Sequence, residues 1–86
     1  MSLNVINPSA DLTQALRQAI EAAIPGSSAS VQANSPGHFG IEVVAAAFAG
    51  KSMVEQQQMV YAAIAHLMKG DSAPVHAIDR MKTKAQ

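Results

Sequence analysis

Ser35-Pro36-Gly37-His38-Phe39-Gly40-Ile41-Glu42-Val43-Val44 is the stretch on which the fold turns. Its opening, with Asn34 before it, is turn chemistry. Phe39, Ile41, Val43 and Ala45 then alternate with Gly40, Glu42 and Val44, the period-two pattern of a strand central to a small sheet. Upstream, Ala29, Val31 and Ala33 alternate with Ser28, Ser30, Gln32 and Asn34, a weaker, half-buried strand. So short a connection makes the pair an antiparallel hairpin, with His38 in its loop or at its end.

Ahead of the hairpin, Leu12, Leu16, Ile20 and Ile24 recur every fourth residue. Ala15, Ala19 and Ala23 widen that stripe, and Gln14, Arg17, Gln18 and Glu21 take the wet side. Ser9 or Asp11 can cap this amphipathic helix, and Pro25-Gly26 stops it. Residues 1–8 read as a flexible leader, and 9–86 as one domain. Behind the hairpin, Phe48-Ala49-Gly50-Lys51-Ser52 leads into a helix that opens on a Ser52/Glu55 capping box and runs to about Lys69. Val60, Ile64, Leu67 and Met68 form its core face, with Met53 and Val54 near the start. The polar run Glu55 to Gln58 suggests two helical pieces. Gly70-Asp71-Ser72 ends the helix, Pro74 restarts the chain as extended, and Val75 to Met81 reads as the last strand. This order predicts an α+β two-layer sandwich: a three-stranded mixed sheet with the helices on one face. Gly40, Glu42 and Val44 are left on the other face, for solvent or a partner.

With 86 residues the chain holds one small domain. Hydrophobic residues make up 49%, but many are alanine, and only two Phe and one Tyr are present, so the core is thin. Cysteine is absent, which excludes disulfides, thiolate nucleophiles and metal ligation by the chain's own sulfur. The formal net charge is zero and the pI near 6.8, so no global field draws the domain to nucleic acid or anionic membranes. No apolar run approaches membrane-spanning length, and Met1 to Pro8 lacks the basic and apolar regions of a signal peptide. A soluble cytoplasmic protein is expected.

No enzyme is legible. Asp11, Glu21, Glu42, Glu55, Asp71 and Asp79 are scattered, without a pair suited to acid–base work. Ser35 and Ser52 have no histidine–carboxylate relay, and Gly37 and Gly40 form no phosphate loop. Met53, Met59, Met68 and Met81 read as core filler rather than sulfur ligands. His66 reads as a boundary residue beside the core face, and Arg80, Lys82 and Lys84 as a solvated tail. Taken alone, His38 is a loop histidine and His76 a strand histidine alternating away from Val75 and Ala77.

Four features in register change that weighting. His38-Phe39 before an alternating strand, Phe48-x-Gly50 after it, Val54 through Val60-Tyr61, and Val75-His76-Ala77-Ile78 resemble the BolA-like proteins from about Leu12 to Ile78. Gln57-Gln58-Met59-Val60-Tyr61 is closer to the IbaG-like branch, and Gln56-Gln57-Gln58 replaces the basic run that BolA-type members often carry. The resemblance implies an αββααβ fold similar to a class II KH domain. It also implies partnership with a monothiol glutaredoxin and traffic of 2Fe–2S clusters. In such a complex the partner gives a cysteine thiolate and bound glutathione a second thiol. The BolA-like chain gives a histidine near its C-terminal strand, carried here onto His76, and a His or Cys of the hairpin loop, placed here at His38. Imidazole ligation of this kind raises the reduction potential, and protonation of either ring makes the site acid-labile. The usual Thr-Pro and acidic-aromatic tail is replaced by Lys82-Thr83-Lys84-Ala85-Gln86, with room for a one-residue shift after Asp79. Some members are described as transcriptional regulators. The alternative is therefore a nucleic-acid-binding regulator on the KH-like fold, with Arg80, Lys82 and Lys84 as contacts. Against it, the helix start where a KH domain carries its RNA-gripping loop reads Glu55-Gln56-Gln57-Gln58, and aromatic stacking platforms are missing.

Overall fold

The computed structural model describes residues 8–70 and 73–86, with side chains from Leu12 onward except 71–72. The elements are α1 (Pro8–Ala23), β1 (Ser28–Ser35), β2 (His38–Ala45), α2 (Met53–Met68) and β3 (Ala77–Ala85). Of the leader read over residues 1–8, 1–7 lie outside the described residues and Pro8 already belongs to α1. Ser9 and Asp11, read as caps, stand within that helix rather than ahead of it, and the stop at Asp71-Ser72 lies outside the described residues. Proline at the first position of α1 is favourable, since that position has no intrahelical partner for an N–H.

The sheet order is β1-β2-β3. β1 and β2 form the expected antiparallel hairpin, and β3 lies parallel to β2, so the sheet is mixed. A parallel neighbour needs a long crossover, and α2 supplies it. Alternation decides which side chains face the helices. Phe39, Ile41, Val43 and Ala45 of β2 are buried, with Leu16 and Ile20 of α1, Ile24 just beyond it, and Val60, Ala63 and Ile64 of α2 packed on them. Ala29, Phe48 and Val75 complete this core. Both helices cover one face, as two layers require. On the other, Ser28, Ser30, Gln32, Glu42, Arg80, Lys82 and Lys84 are exposed.

Three expectations are corrected. First, α2 is one continuous helix, not two pieces. The additional helical element is a one-turn 3-10 helix at Ala46–Phe48, ahead of Gly50. The polar run is tolerated because Gln56 stands one turn before Val60 on the inner face. Its Nε2 donates to the carbonyls of Phe48 and Lys51, at 3.3 and 3.0 Å, and its Oε1 accepts from Thr83 Oγ1 at 2.8 Å. A buried amide so satisfied carries little desolvation penalty.

Second, Met53 and Val54 are not core: they are 54% and 63% exposed. Met59, Met68 and Met81 do pack against the core, whereas the Met53 sulfur accepts from Thr83 Oγ1 at 3.2 Å. Third, the last strand does not end at Met81. It spans Ala77–Ala85, so Arg80, Lys82 and Lys84 are strand residues and not a tail. Met81, Thr83 and Ala85 pair with Ile41, Val43 and Ala45, and the cations between them face the uncovered side. Beyond Met81 only Thr83 is buried, and Ala85 is exposed, too little apolar signal to announce a strand.

Candidate functional site at the hairpin corner

β1 and β2 are joined by two residues, Pro36 and Gly37, with Ser35 paired to His38. Proline fixes its own φ near the value a turn needs, and Gly37 takes φ +79°, a conformation open to glycine at little cost. The tight turn makes His38 the first residue of β2 rather than a loop residue. Phe39 beside it is fully buried, so alternation sends His38 to the uncovered face.

The last strand meets the turn at the same corner. The carbonyl of Gly37 accepts two hydrogen bonds, from His76 N at 2.8 Å and from Ala77 N at 3.0 Å. Ala77 is the Cα partner of His38. His76 is therefore anchored by its backbone at the turn, directly before the residue paired with His38. Its ring lies over Gly37, so that a Cβ at position 37 would stand 2.9 Å from His76 Cγ. Gly37 is thus required twice, for its φ and for the space above it. The His76 side chain is exposed, beside a shallow groove lined by Met68, Gly70, Ala73 and Val75. The backbones of His38 and His76, far apart in sequence, meet at this turn; His66 does not join them, standing exposed in the last turn of α2.

His38 also has a partner that sequence reading missed. Its Nδ1 is 2.9 Å from Asp79 Oδ1, with both side chains 41% exposed. Asp79 Oδ2 accepts from Asn34 Nδ2 at 3.2 Å, so the group links all three strands. The hydrogen bond from His38, then that from Asn34, holds the Asp79 carboxyl below the usual carboxylate range, and the charge of His38 adds to this. The register shifts at Asp79 itself, where Phe39 pairs with Ile78 and Gly40 with Arg80, leaving Asp79 as the extra residue of β3; after it the pairing runs without interruption to Ala85.

No group of three or more His, Cys, Asp or Glu side chains suited to a metal ion occurs among the described residues. The corner carries two imidazoles, one exposed and one half-buried. The Gly37-His38-Phe39-Gly40 segment is a Gly-x-x-Gly, but it spans the hairpin turn and the start of β2 rather than the start of a helix. It does not form the nucleic-acid-gripping loop of a KH domain.

The model of the family described as BolA-like protein matches residues 2–86. Among solved structures, the chain is similar to a BolA protein homologue from Coxiella burnetii, with 27% identity, a TM-score of 0.69, and coverage of 85% of this chain and 88% of that one. A Bol-like protein from Babesia bovis is 22% identical with a TM-score of 0.71, over 98% of this chain and 90% of that one. The BolA domain of SufE1 from Arabidopsis thaliana is 18% identical with a TM-score of 0.70, over 98% and 95%. The last two bear on the fold alone. A search of curated proteins found no match.

Proposed function

This chain belongs to the BolA-like family, and on that premise we propose that it is a non-catalytic interaction module that pairs with a monothiol glutaredoxin and co-ligates a 2Fe–2S cluster for iron–sulfur assembly or trafficking. One observation supports the reading: the pairing of β2 with β3 brings the backbone of His76 to the turn that precedes His38, with the Gly37 carbonyl holding it. Two neutral imidazoles are competent ligands for one iron, and their soft counterparts must come from outside a chain without cysteine. A glutaredoxin thiolate and the thiol of bound glutathione meet that need. The chain's part is to present two lone pairs and to release them when the partner leaves.

The test is to mix the protein with a monothiol glutaredoxin, glutathione and a reconstituted cluster. The expected product is a coloured heterodimer whose visible absorption and circular dichroism differ from those of the glutaredoxin alone. His38→Ala and His76→Ala should each alter that spectrum. If both leave it untouched, the ligand assignment is wrong.

A second reading has one observation in its favour. Arg80, Lys82 and Lys84 occupy alternate positions of β3 and so share the uncovered face, a spacing that suits phosphate contacts on a nucleic acid. Glu42, paired with Lys82, opposes it. Three such contacts give a slope of log affinity against log salt of about −2 to −3. Binding to duplex or single-stranded DNA at physiological salt, abolished by replacing all three cations, would move this reading to first place.

A further inference from the structure

The corner contains two side chains that the proposed ligand pair does not use, Asn34 and Asp79. Each is the extra residue at a register shift. On β1, Ala33 pairs with Phe39 and Ser35 with His38, passing over Asn34. On β3, Ile78 pairs with Phe39 and Arg80 with Gly40, passing over Asp79. A bulge costs ladder hydrogen bonding and re-aims the side chain it carries. Here two of them, on the two strands flanking β2, aim their side chains at one another and at His38.

We infer that Asp79, steadied by Asn34, is a positioning residue that sets which nitrogen of His38 is presented to an incoming ligand. The argument is one of donors and acceptors. An ionised carboxylate only accepts. The His38 nitrogen 2.9 Å from Asp79 Oδ1 is Nδ1, so Nδ1 carries the proton. A neutral imidazole has a single N–H, and the bare lone pair is then on Nε2, the nitrogen that Asp79 does not occupy. Asn34 Nδ2 donates to the other carboxylate oxygen, which holds the carboxylate from the far strand. Histidines that ligate metal carry this kind of partner on their second nitrogen, and it fixes both tautomer and ring orientation. Among the described residues the His76 ring has no hydrogen-bond partner, although its backbone N–H is held by Gly37. The two imidazoles are therefore unequal: the His38 ring is held by a carboxylate, and the His76 ring has no such partner among the described residues.

The tautomer stands on its own; its use in ligation rests on the function proposed above. The experiment separates the two. In the free protein with 15N-labelled histidine, at a pH where the rings are neutral, long-range 1H–15N correlation should show His38 protonated at Nδ1, the reverse of the form that predominates for a free histidine side chain in water. Asp79→Ala should abolish that preference, Asp79→Asn, whose amide oxygen can still accept, should weaken it, and both should leave His76 and His66 unchanged. In the cluster-loaded complex with glutaredoxin and glutathione, either variant should speed cluster loss to an iron chelator by about 10–100-fold. A wild-type His38 protonated at Nε2, or a tautomer unmoved by Asp79→Ala, overturns the inference whatever the cluster does. A tautomer that shifts as expected, with a cluster spectrum indifferent to His38→Ala, upholds the role of Asp79 and refutes the ligand role of His38.

Discussion

Replacing Gly37 by alanine tests the corner more directly than removing either histidine, because two separable costs arise there. Gly37 sits at φ +79°, where a residue with a Cβ loses about 1–2 kcal/mol. The new methyl would also stand 2.9 Å from His76 Cγ and 3.2 Å from His76 Cβ, against an ordinary carbon–carbon separation of about 3.5–4.0 Å. The backbone cannot simply retreat, since His76 N and Ala77 N are both bonded to the Gly37 carbonyl, at 2.8 and 3.0 Å. Crowding of this kind costs about 1–3 kcal/mol, and the exposure of His76 places it at the low end. The sum is about 2–4 kcal/mol, a large share of a domain stability of about 5–15 kcal/mol. In a domain of this size it lowers Tm by roughly 10–20 °C. Urea denaturation of Gly37→Ala, His76→Ala and the double variant separates the two costs. With the ring gone, Gly37→Ala should cost about 1 kcal/mol less than in the wild type, a coupling well above the roughly 0.3–0.5 kcal/mol scatter of independent sites. Equal costs in both backgrounds would refute the close approach, and a Gly37→Ala variant within about 0.5 kcal/mol of wild type would refute the left-handed turn as well.

Three further outcomes are expected. Gln56→Leu should destabilise by about 1–3 kcal/mol, because it leaves the Lys51 carbonyl without its donor and Thr83 Oγ1 with only the Met53 sulfur as acceptor, and Thr83→Val in the same chain should recover part of the loss in a urea titration. Ser52→Ala, which deletes the cap that Glu55 N–H donates to at 3.1 Å, should cost about 1 kcal/mol and appear as faster amide exchange in the first turn of α2. Acid should weaken the fold through Asp79 and Glu55. Both carboxyls lie below their ordinary values when folded, Asp79 through His38 and then Asn34, Glu55 through the backbone and then the hydroxyl of Ser52. Their contribution is therefore full above a pH of about 4–4.5 and is lost as the pH falls through the folded values. Asp79→Asn and Glu55→Gln should each flatten that part of a stability-versus-pH curve, and an unchanged curve would show that these surface contacts contribute nothing measurable.

Much of the fold was legible because its signals are local. Leu12, Leu16, Ile20 and Ile24 announce α1 by spacing alone; Leu12 packs on the core and the other three are buried in it. Phe39 to Ala45 announces β2 by alternation, and Ser52 with Glu55 announces the start of α2. What escaped depends on partners distant in sequence. Gln56 looks like solvent-facing helix until Thr83 and the carbonyl of Phe48 are known to lie against it. Val54 looks like core until the phase of α2 is set by Val60 and Ile64. His38 and His76 were named from the family resemblance, and β2–β3 pairing explains how they meet. The Asp79 contact was invisible because it spans 41 positions and depends on a register shift in a parallel ladder.

The order β1-β2-β3 leaves β3 at the rim of the sheet, with a single strand neighbour. Strands held on one side are natural units of local opening, released at a smaller free energy than the whole domain. At this rim one such event takes away His76, the anchor on Gly37 and the carboxylate on His38 together. Opening of β3 would therefore dismantle these contacts in one step rather than one at a time. A partner docked at this corner, as proposed above, would clamp that rim, and slower amide exchange in β3 would report it without a chromophore.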